Sequence, residues 1–314
     1  MKAILIFLLT IAIIGCNNPQ DPNDNNNLPS KIAFAKSDSL GTKIFTVNPD
    51  GSNFDTLFSF PVSPGLPVGN LSWSPDAFKI SILYGDSIAV LDIENSETAI
   101  FNYVTPDVQG YSWFPDSRNI AISASGVIYK VDIYTNQSEK ITEGVHPEIS
   151  PNGELIAYRN NGAIYVLDLK NGSTQYIADS QYGIAQWSPT SDRLAFVGGE
   201  HNNELLSVPI DGNEKMLLFS GDVVTAYKWS PDGEKIAYGK AYGFGVVNID
   251  ESKDEIVSLM NSYSPSWSPE NSSIVYLLLG LDEQSIYVYN LMNKSNKLLL
   301  SLNSGALNVS WSPR

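Results

Sequence analysis

The chain has 314 residues, of which 43% are hydrophobic, and a formal net charge of -15. Proteins that bind nucleic acid by displacing counterions from phosphate need a basic surface, and the 19 lysines and arginines form no basic cluster in this sequence. The composition therefore argues against binding to DNA or RNA and against direct docking on anionic lipid. A solvated acidic surface that keeps the protein soluble is the simplest interpretation.

Residues 1–15 have the features of a secretory signal. Lys2 precedes an apolar stretch of 13 residues from Ala3 to Gly15, which is too short for a bilayer span of about 20 residues. The stretch ends in IIGC, which resembles the bacterial lipobox, and Cys16 is the only cysteine of the chain. The resemblance implies that Cys16 becomes the lipidated N-terminus. An ordinary signal peptide that happens to contain a cysteine is the alternative.

Residues 16–29 are nearly all polar and rich in asparagine, which predicts a disordered tether. Asn17, rather than an aspartate, follows the cysteine. By resemblance to better-known lipoproteins, this favours sorting to the outer membrane. We therefore expect a lipid-anchored protein of the bacterial cell envelope, facing the periplasm or the cell surface. The N-terminal lipid is its only expected contact with the membrane. Without a second cysteine, the remaining chain must be held together by its apolar core.

A repeated motif runs through residues 30–314. Each of the six tryptophans begins a phrase such as WSPD, WFPD or WSPE, and ISPN at Ile149 is a seventh copy without the indole ring. We call these seven residues the motif positions: Trp73, Trp113, Ile149, Trp187, Trp229, Trp267 and Trp311. They are 36 to 44 residues apart, close to the roughly 40 to 45 residues of one four-stranded propeller blade.

Four strands are predicted in each repeat. Pro followed by Asp, Asn or Thr indicates a hairpin turn, and an apolar strand begins seven residues after the motif position, for example at Ile80 and Ile236. An alternating run such as IYVLDL predicts a third strand, and a weaker apolar run before the next motif predicts a fourth. This pattern leaves no room for helices.

The two ends of the repeat region complement each other. The last repeat stops at Arg314 just after its motif, while Ile32 begins strands that have no motif before them. Joining Pro29 to Arg314 would place Ile32 at the seven-residue offset of the other copies. The sequence therefore predicts an all-β, seven-bladed β-propeller closed by pairing of the C-terminal strand with the N-terminal blade, which removes exposed sheet edges.

The segment WSPDGEKIAY, from Trp229 to Tyr238, resembles the WD-repeat-like β-propeller repeat of TolB and related periplasmic proteins. The resemblance covers nearly all of the chain after residue 30, with WSPDAFKISI and ISPNGELIAY as further copies. It implies a propeller and an envelope location. The seven predicted blades, where TolB has six, and the lack of the extra α/β domain of TolB mean that no specific partner can be inferred from it.

Few residues suggest enzymatic chemistry. The chain has two histidines, His146 and His201, on one face of neighbouring blades, with Glu148 and Glu200 nearby in sequence. They could coordinate a metal, but no third ligand is evident, and surface histidines are the simpler interpretation. No nucleophile elbow, HExxH motif, phosphate-binding loop or calcium loop is present. The serine of the motif recurs in most repeats, as a scaffold residue would. We therefore predict no catalytic residues, no metal and no cofactor.

Binding is predicted on one face of the ring. The turns after the first and third strands are short, whereas the connections after the second and fourth vary in length, and variable loops on a rigid scaffold commonly bind ligands. Aromatic residues at or near the ends of these loops suit a protein partner or glycan stacking, although they could merely cap the blades. They are Phe60, Tyr111, Tyr182, Tyr227, Tyr242 and Tyr263.

These features predict a lipid-anchored, non-enzymatic propeller that presents a binding face to a protein or another envelope partner. Two alternatives remain open. One is a polysaccharide-active enzyme, a glycan lyase or hydrolase, because some seven-bladed propellers of similar repeat type cleave uronate glycans with a metal and histidines. The other is an accessory protein that captures glycans without cleaving them.

Overall fold

The computed structural model of the protein describes residues 30–60, 68–93, 98–102, 107–180, 184–199, 201, 203–211, 214–240, 243–250, 254–258, 262–280, 283–303 and 305–314. Within these ranges the chain forms 28 β-strands and no helix, so nothing in the described part is a helix that could cross a membrane. The predicted signal peptide, the tether and Cys16 lie outside the described residues.

The strands form seven antiparallel sheets of four strands each, which confirms the predicted blades. Blade 1 contains β1 (Ile32–Asp38), β2 (Gly41–Val47), β3 (Asp55–Phe60) and β28 (Ala306–Trp311). Blade 2 contains β4 (Val68–Trp73), β5 (Lys79–Tyr84), β6 (Ser87–Asp92) and β7 (Thr98–Asn102). Blade 3 contains β8 (Val108–Trp113), β9 (Asn119–Ala124), β10 (Val127–Asp132) and β11 (Ser138–Glu143). Blade 4 contains β12 (Val145–Ile149), β13 (Leu155–Asn160), β14 (Ala163–Asp168) and β15 (Thr174–Asp179).

The remaining blades follow the same order. Blade 5 contains β16 (Gln186–Trp187), β17 (Arg193–Gly198), β18 (Glu204–Pro209) and β19 (Met216–Ser220). Blade 6 contains β20 (Val224–Trp229), β21 (Lys235–Lys240), β22 (Gly243–Asn248) and β23 (Asp254–Ser258). Blade 7 contains β24 (Ser262–Trp267), β25 (Ser273–Leu279), β26 (Gln284–Asn290) and β27 (Ser295–Leu302).

One register recurs in every blade. The motif residue ends the first strand of its sheet, which we call the inner strand, and pairs with the residue seven positions later. These partners are at most 1% exposed: Ile80, Ile120, Ile156, Leu194, Ile236 and Ile274. In blade 1, Trp311 pairs with Ile32 in the same way. The spacing in the sequence thus fixes the register because strands joined by a hairpin have no freedom to slip.

The turn after the inner strand is held by the serine of the motif in the blades that have one, and blade 3 carries Phe114 in its place. Ser74 Oγ accepts the Lys79 amide at 2.9 Å and donates to Asp76 Oδ1 at 2.5 Å. Ser230 repeats both bonds with Lys235 and Asp232. These serines are buried, so their hydroxyl groups serve the turn.

The ring closes through the split blade. Strand β28 pairs with β1, and the Lys31 amide donates to Ser312 Oγ at 3.0 Å, the bond that the motif serine makes in unbroken repeats. Blade 7 is linked to it because the Trp311 amide donates to Ser266 Oγ at 2.9 Å. The predicted closure by the C-terminal strand is therefore confirmed.

The hydrophobic core lies between the blades. Among the described residues, seven apolar clusters are found, and each is shared by two neighbouring blades. Each motif tryptophan, at 6 to 8% exposed, packs against the preceding blade. In four of them the indole Nε1 donates to a backbone carbonyl of that blade, as from Trp229 to Gln186 at 3.2 Å. The tryptophans are therefore structural residues that tie adjacent blades together.

Candidate functional site

The inner strands of all seven blades line a central channel of about 1040 Å³. Each inner strand begins at the face that carries the connections after second and fourth strands, which we call the loop face. It ends at the face that carries the short turns, which we call the turn face. Residues at the start of an inner strand thus lie near the mouth on the loop face, and the motif positions lie deeper in the ring.

A polar ring lines the channel one residue before the motif positions. Its members are Ser72, Ser112, Glu148, Gln186, Lys228, Ser266 and Ser310. The larger side chains occupy three consecutive blades, 4 to 6, and we call Glu148, Gln186 and Lys228 the polar arc. One side of the channel therefore carries charge, while the rest of this ring carries hydroxyl groups.

Two of the serines show what this position does in the scaffold. Ser112 Oγ accepts the backbone amide of Ile149 at 3.0 Å, and Ser266 Oγ accepts that of Trp311 at 2.9 Å. Each bond joins one blade to the motif residue of the next. The carboxylate of Glu148 makes no such bond, and no hydrogen bond or ion pair to it is found among the described residues.

Glu148 is consequently a carboxylic acid with little to stabilise its charge. It is only partly exposed, inside a narrow channel walled by protein. Burial raises its pKa to about 7, an effect that the positive charge of Lys228 partly offsets. The two groups influence each other without forming a close ion pair, since no contact within 4.0 Å joins them. Glu148 can therefore change its charge near neutral pH.

His146 lies on the same inner strand, two residues before Glu148, and also lines the channel. Its backbone is left-handed, with φ of 52°, at a bulge in the pairing of β12 with β13. Asn70, Gly110 and Ser264 occupy equivalent bulges with positive φ. Bulges of this kind redirect side chains. Burial, followed by the charge of Arg159, lowers the pKa of His146 to about 4, so the imidazole is neutral at pH 7.

The mouth of the channel beside the polar arc carries two exposed apolar side chains, together with Lys240, which pairs with Val224 at this end of blade 6. Ile184 and Val223 precede the inner strands of blades 5 and 6, line the channel and are 40% and 46% exposed. The hydroxyl group of Tyr227 donates to the Ile184 carbonyl, which fixes one blade against the next at this edge. Burial, and then the charge of Glu148, raises the pKa of Tyr227.

The predicted aromatic binding residues occupy different environments. Phe60 is buried at 2% exposed and stacks on Tyr84 at 4.6 Å between ring centroids. Tyr227 is buried at 7% exposed. Tyr111 and Tyr263 line the channel and donate their hydroxyl groups to carbonyls of adjacent blades, those of Asn70 and Ala306. Phe60 and Tyr227 thus contribute to the packing between blades in this structure.

Tyr182 and Tyr242 lie outside the described residues. The partner-binding role of the six aromatic residues stays a prediction. Cys16 is likewise outside the described part, and its lipidation also stays a prediction.

The two histidines are not brought together as a site. His146 lines the channel, whereas His201 is exposed in the connection between β17 and β18 and is not among the lining residues. Glu200 lies outside the described residues. In the part of the chain that the structure describes, no group of three or more His, Cys, Asp or Glu residues could hold a metal ion.

The polar arc was missed in the sequence analysis, although a signal for it exists. Aligning the seven motifs shows serine before the motif position in four repeats and Glu148, Gln186 and Lys228 in three consecutive ones. A position that is otherwise a small hydroxyl residue, but carries larger polar groups on adjacent blades, marks one side of the channel.

No protein-family model matches this chain, and no curated protein matches it. Solved structures share its fold. TolB from Acinetobacter baumannii has a TM-score of 0.56 at 17% identity, covering 92% of this chain and 84% of that chain. The C-terminal WD40 domain of Sif2 has a TM-score of 0.65 at 12% identity, covering 92% and 88%. An oligogalacturonate lyase in complex with manganese has a TM-score of 0.63 at 14% identity, covering 84% and 83%. At these identities the similarity establishes the propeller fold alone.

Proposed function

We propose that this protein is a non-enzymatic β-propeller of the bacterial cell envelope, anchored by lipid at Cys16, that binds a protein partner on the loop face at the mouth of the channel. The observation that carries the proposal is that the apolar side chains of Ile184 and Val223, on neighbouring blades 5 and 6, are exposed and line the same channel as the polar arc. Apolar contacts surrounded by polar groups are typical of protein interfaces. The similarity to TolB and WD40 propellers supports a scaffold role.

Site-specific cross-linking tests this interface. A photo-reactive amino acid replaces Val223 on the loop face or, as a matched control, the exposed Lys170 in a turn on the opposite face. Cross-linking in intact cells, followed by identification of the captured protein, should give one discrete adduct through position 223 and none through position 170. The purified partner should then bind wild-type protein and bind Val223→Asp at least tenfold more weakly, since a charge at an apolar contact must be desolvated. Equal adducts at both positions would refute the proposed face.

A glycan-cleaving enzyme is the second candidate. The similarity to an oligogalacturonate lyase with manganese favours it, as does the presence of His146, Glu148 and Gln186 along one channel. The purified protein is assayed against uronate-containing and neutral glycans, with manganese or with a chelator. Turnover that the chelator abolishes, and that is absent after replacing His146 and His201 with alanine, would establish this candidate in place of the first.

A further inference from the structure

The carboxylate of Glu148 is the one negatively charged group among the described residues that line the channel. At the equivalent position, Ser112 and Ser266 accept a backbone amide of the next blade, but the carboxylate of Glu148 accepts no hydrogen bond from any described residue. A partly desolvated carboxylate without a protein donor is less stable than one in bulk water. A ligand that supplies a positive charge and hydrogen-bond donors would remove that cost.

We propose that Glu148 binds the ammonium group of a lysine side chain that the protein partner inserts into the channel from the loop face. This inference rests on the proposed function, because it names the group of the partner that the channel recognises. The inserted side chain would pass Ile184 and Val223 at the mouth, and its ammonium group would reach the polar arc beyond them.

The dimensions of the site suit such a side chain. Ile184 precedes Gln186 of the polar arc by two residues, which span at most about 7 Å of extended chain. A lysine combines an apolar stem with a charged end, which matches the exposed Ile184 and Val223 at the mouth followed by a carboxylate. The ammonium group offers three donors, and the side-chain oxygen of Gln186, next to Glu148 in the ring, is a second acceptor.

A lysine fits the surroundings of Glu148 better than a metal ion does. Glu148 is the one carboxylate among the channel-lining residues that the structure describes, whereas Mn²⁺ and Ca²⁺ favour several oxygen ligands. The charged and titratable groups that line the channel with it are Lys228 and Tyr227 on β20, Lys240 on β21, Tyr111 on β8, Tyr263 on β24, and His146 on its own strand, with Arg159 of β13 acting on His146. Lys228 is the cation that acts on Glu148, and it would compete with the incoming ammonium group.

Binding should therefore depend on pH in a defined way. An ammonium group binds the ionised carboxylate, so its affinity should be level above pH 7 and should fall about tenfold for each pH unit below the pKa. Binding at pH 7 should also release a proton from Glu148. His146 is already neutral in this range, which leaves Glu148 as the titrating group.

The test uses Nα-acetyl-lysine methylamide as the probe and the same molecule with an acetylated side-chain amine as its neutral control. Calorimetry follows binding from about pH 5 to about pH 9, two units on either side of the pKa. The wild-type protein should bind only the charged probe. Glu148→Gln should lower the affinity at least tenfold at high pH and abolish the pH dependence. Lys228→Met should bind more tightly, because a competing positive charge is removed. Glu139→Gln, on an exposed outer strand, should bind like the wild type.

Several outcomes would overturn the inference. The neutral probe could bind as tightly as the charged one, or Glu148→Gln could bind the charged probe as tightly as the wild type does. Mn²⁺ alone could also displace the probe from the wild type but not from Glu148→Gln. The two proposals can also fail separately. A partner cross-linked through position 223 that binds Glu148→Gln as well as wild type would leave the proposed function standing and refute the lysine site. Specific binding of the charged probe, with no partner cross-linked through position 223, would instead leave the ammonium site at Glu148 standing and refute the proposed function.

Discussion

Replacing Glu148 with glutamine should stabilise the protein at high pH and leave it nearly unchanged at low pH. The side chains have almost the same shape, but glutamine carries no charge to desolvate. In the folded protein burial raises the pKa of Glu148 to about 7, against an ordinary value of 4.5. Between these values the folded state holds a proton that the unfolded state releases. The stability of the wild type therefore falls as pH rises through this window.

The size of the effect follows from the same shift. Each unit of pKa corresponds to about 1.4 kcal/mol, so full expression of the shift would cost about 3 kcal/mol above pH 7. Glu148 is in partial contact with solvent in the channel, which reduces this cost. We expect Glu148→Gln to raise the free energy of unfolding by roughly 1 to 3 kcal/mol at about pH 8 and by less than about 0.5 kcal/mol at about pH 4.

Urea unfolding of the chain from residue 17 onward, which contains every described strand, measures this difference. The six tryptophans report the transition by fluorescence, and circular dichroism checks that the two probes coincide. Other titrating groups are present in both proteins and cancel in the comparison. Glu139→Gln, on an exposed outer strand, should match the wild type at both pH values. A stability difference between Glu148→Gln and wild type that is the same at both pH values would refute the assignment of a desolvated carboxylate.

Three further predictions concern the ring and its anchor. Deleting residues 306–314 removes β28 and exposes the edge of β1, so the protein should aggregate or lose its cooperative unfolding transition. An unchanged urea midpoint would contradict closure of the ring by β28. Trp229→Ala should lower the free energy of unfolding by roughly 3 to 5 kcal/mol. Trp229→Ile should lower it by less, because Ile149 occupies the same position in blade 4. A loss below about 1 kcal/mol for the alanine variant would show that the indole of Trp229 does not contribute to packing. Cys16→Ser should abolish incorporation of radiolabelled fatty acid and leave unprocessed precursor, whereas equal labelling would disprove lipidation at this residue.

The sequence by itself determined the architecture, because the propeller is a repetition of local hairpins. A tryptophan before a proline turn sets the pairing of Trp229 with Ile236 through the length of the turn alone. The split repeat also fixed the closure, since β1 lacked a partner that only β28 could supply. The hairpin register depends on residues that are neighbours in the sequence, and the closure follows from comparing one repeat with another.

The tertiary structure decided which side chains matter in the channel. Phe60 and Tyr227 are buried because a neighbouring blade covers each of them, blade 2 for Phe60 and blade 5 for Tyr227. The sequence of their own strands does not predict that packing. Glu148 acquires its raised pKa from burial by the walls of the channel, and the charge that partly offsets this rise comes from Lys228, 80 residues away in sequence and two blades away in the ring. Desolvation and charge coupling act through space, so the chemistry of the channel exists only once the seven repeats have closed around it.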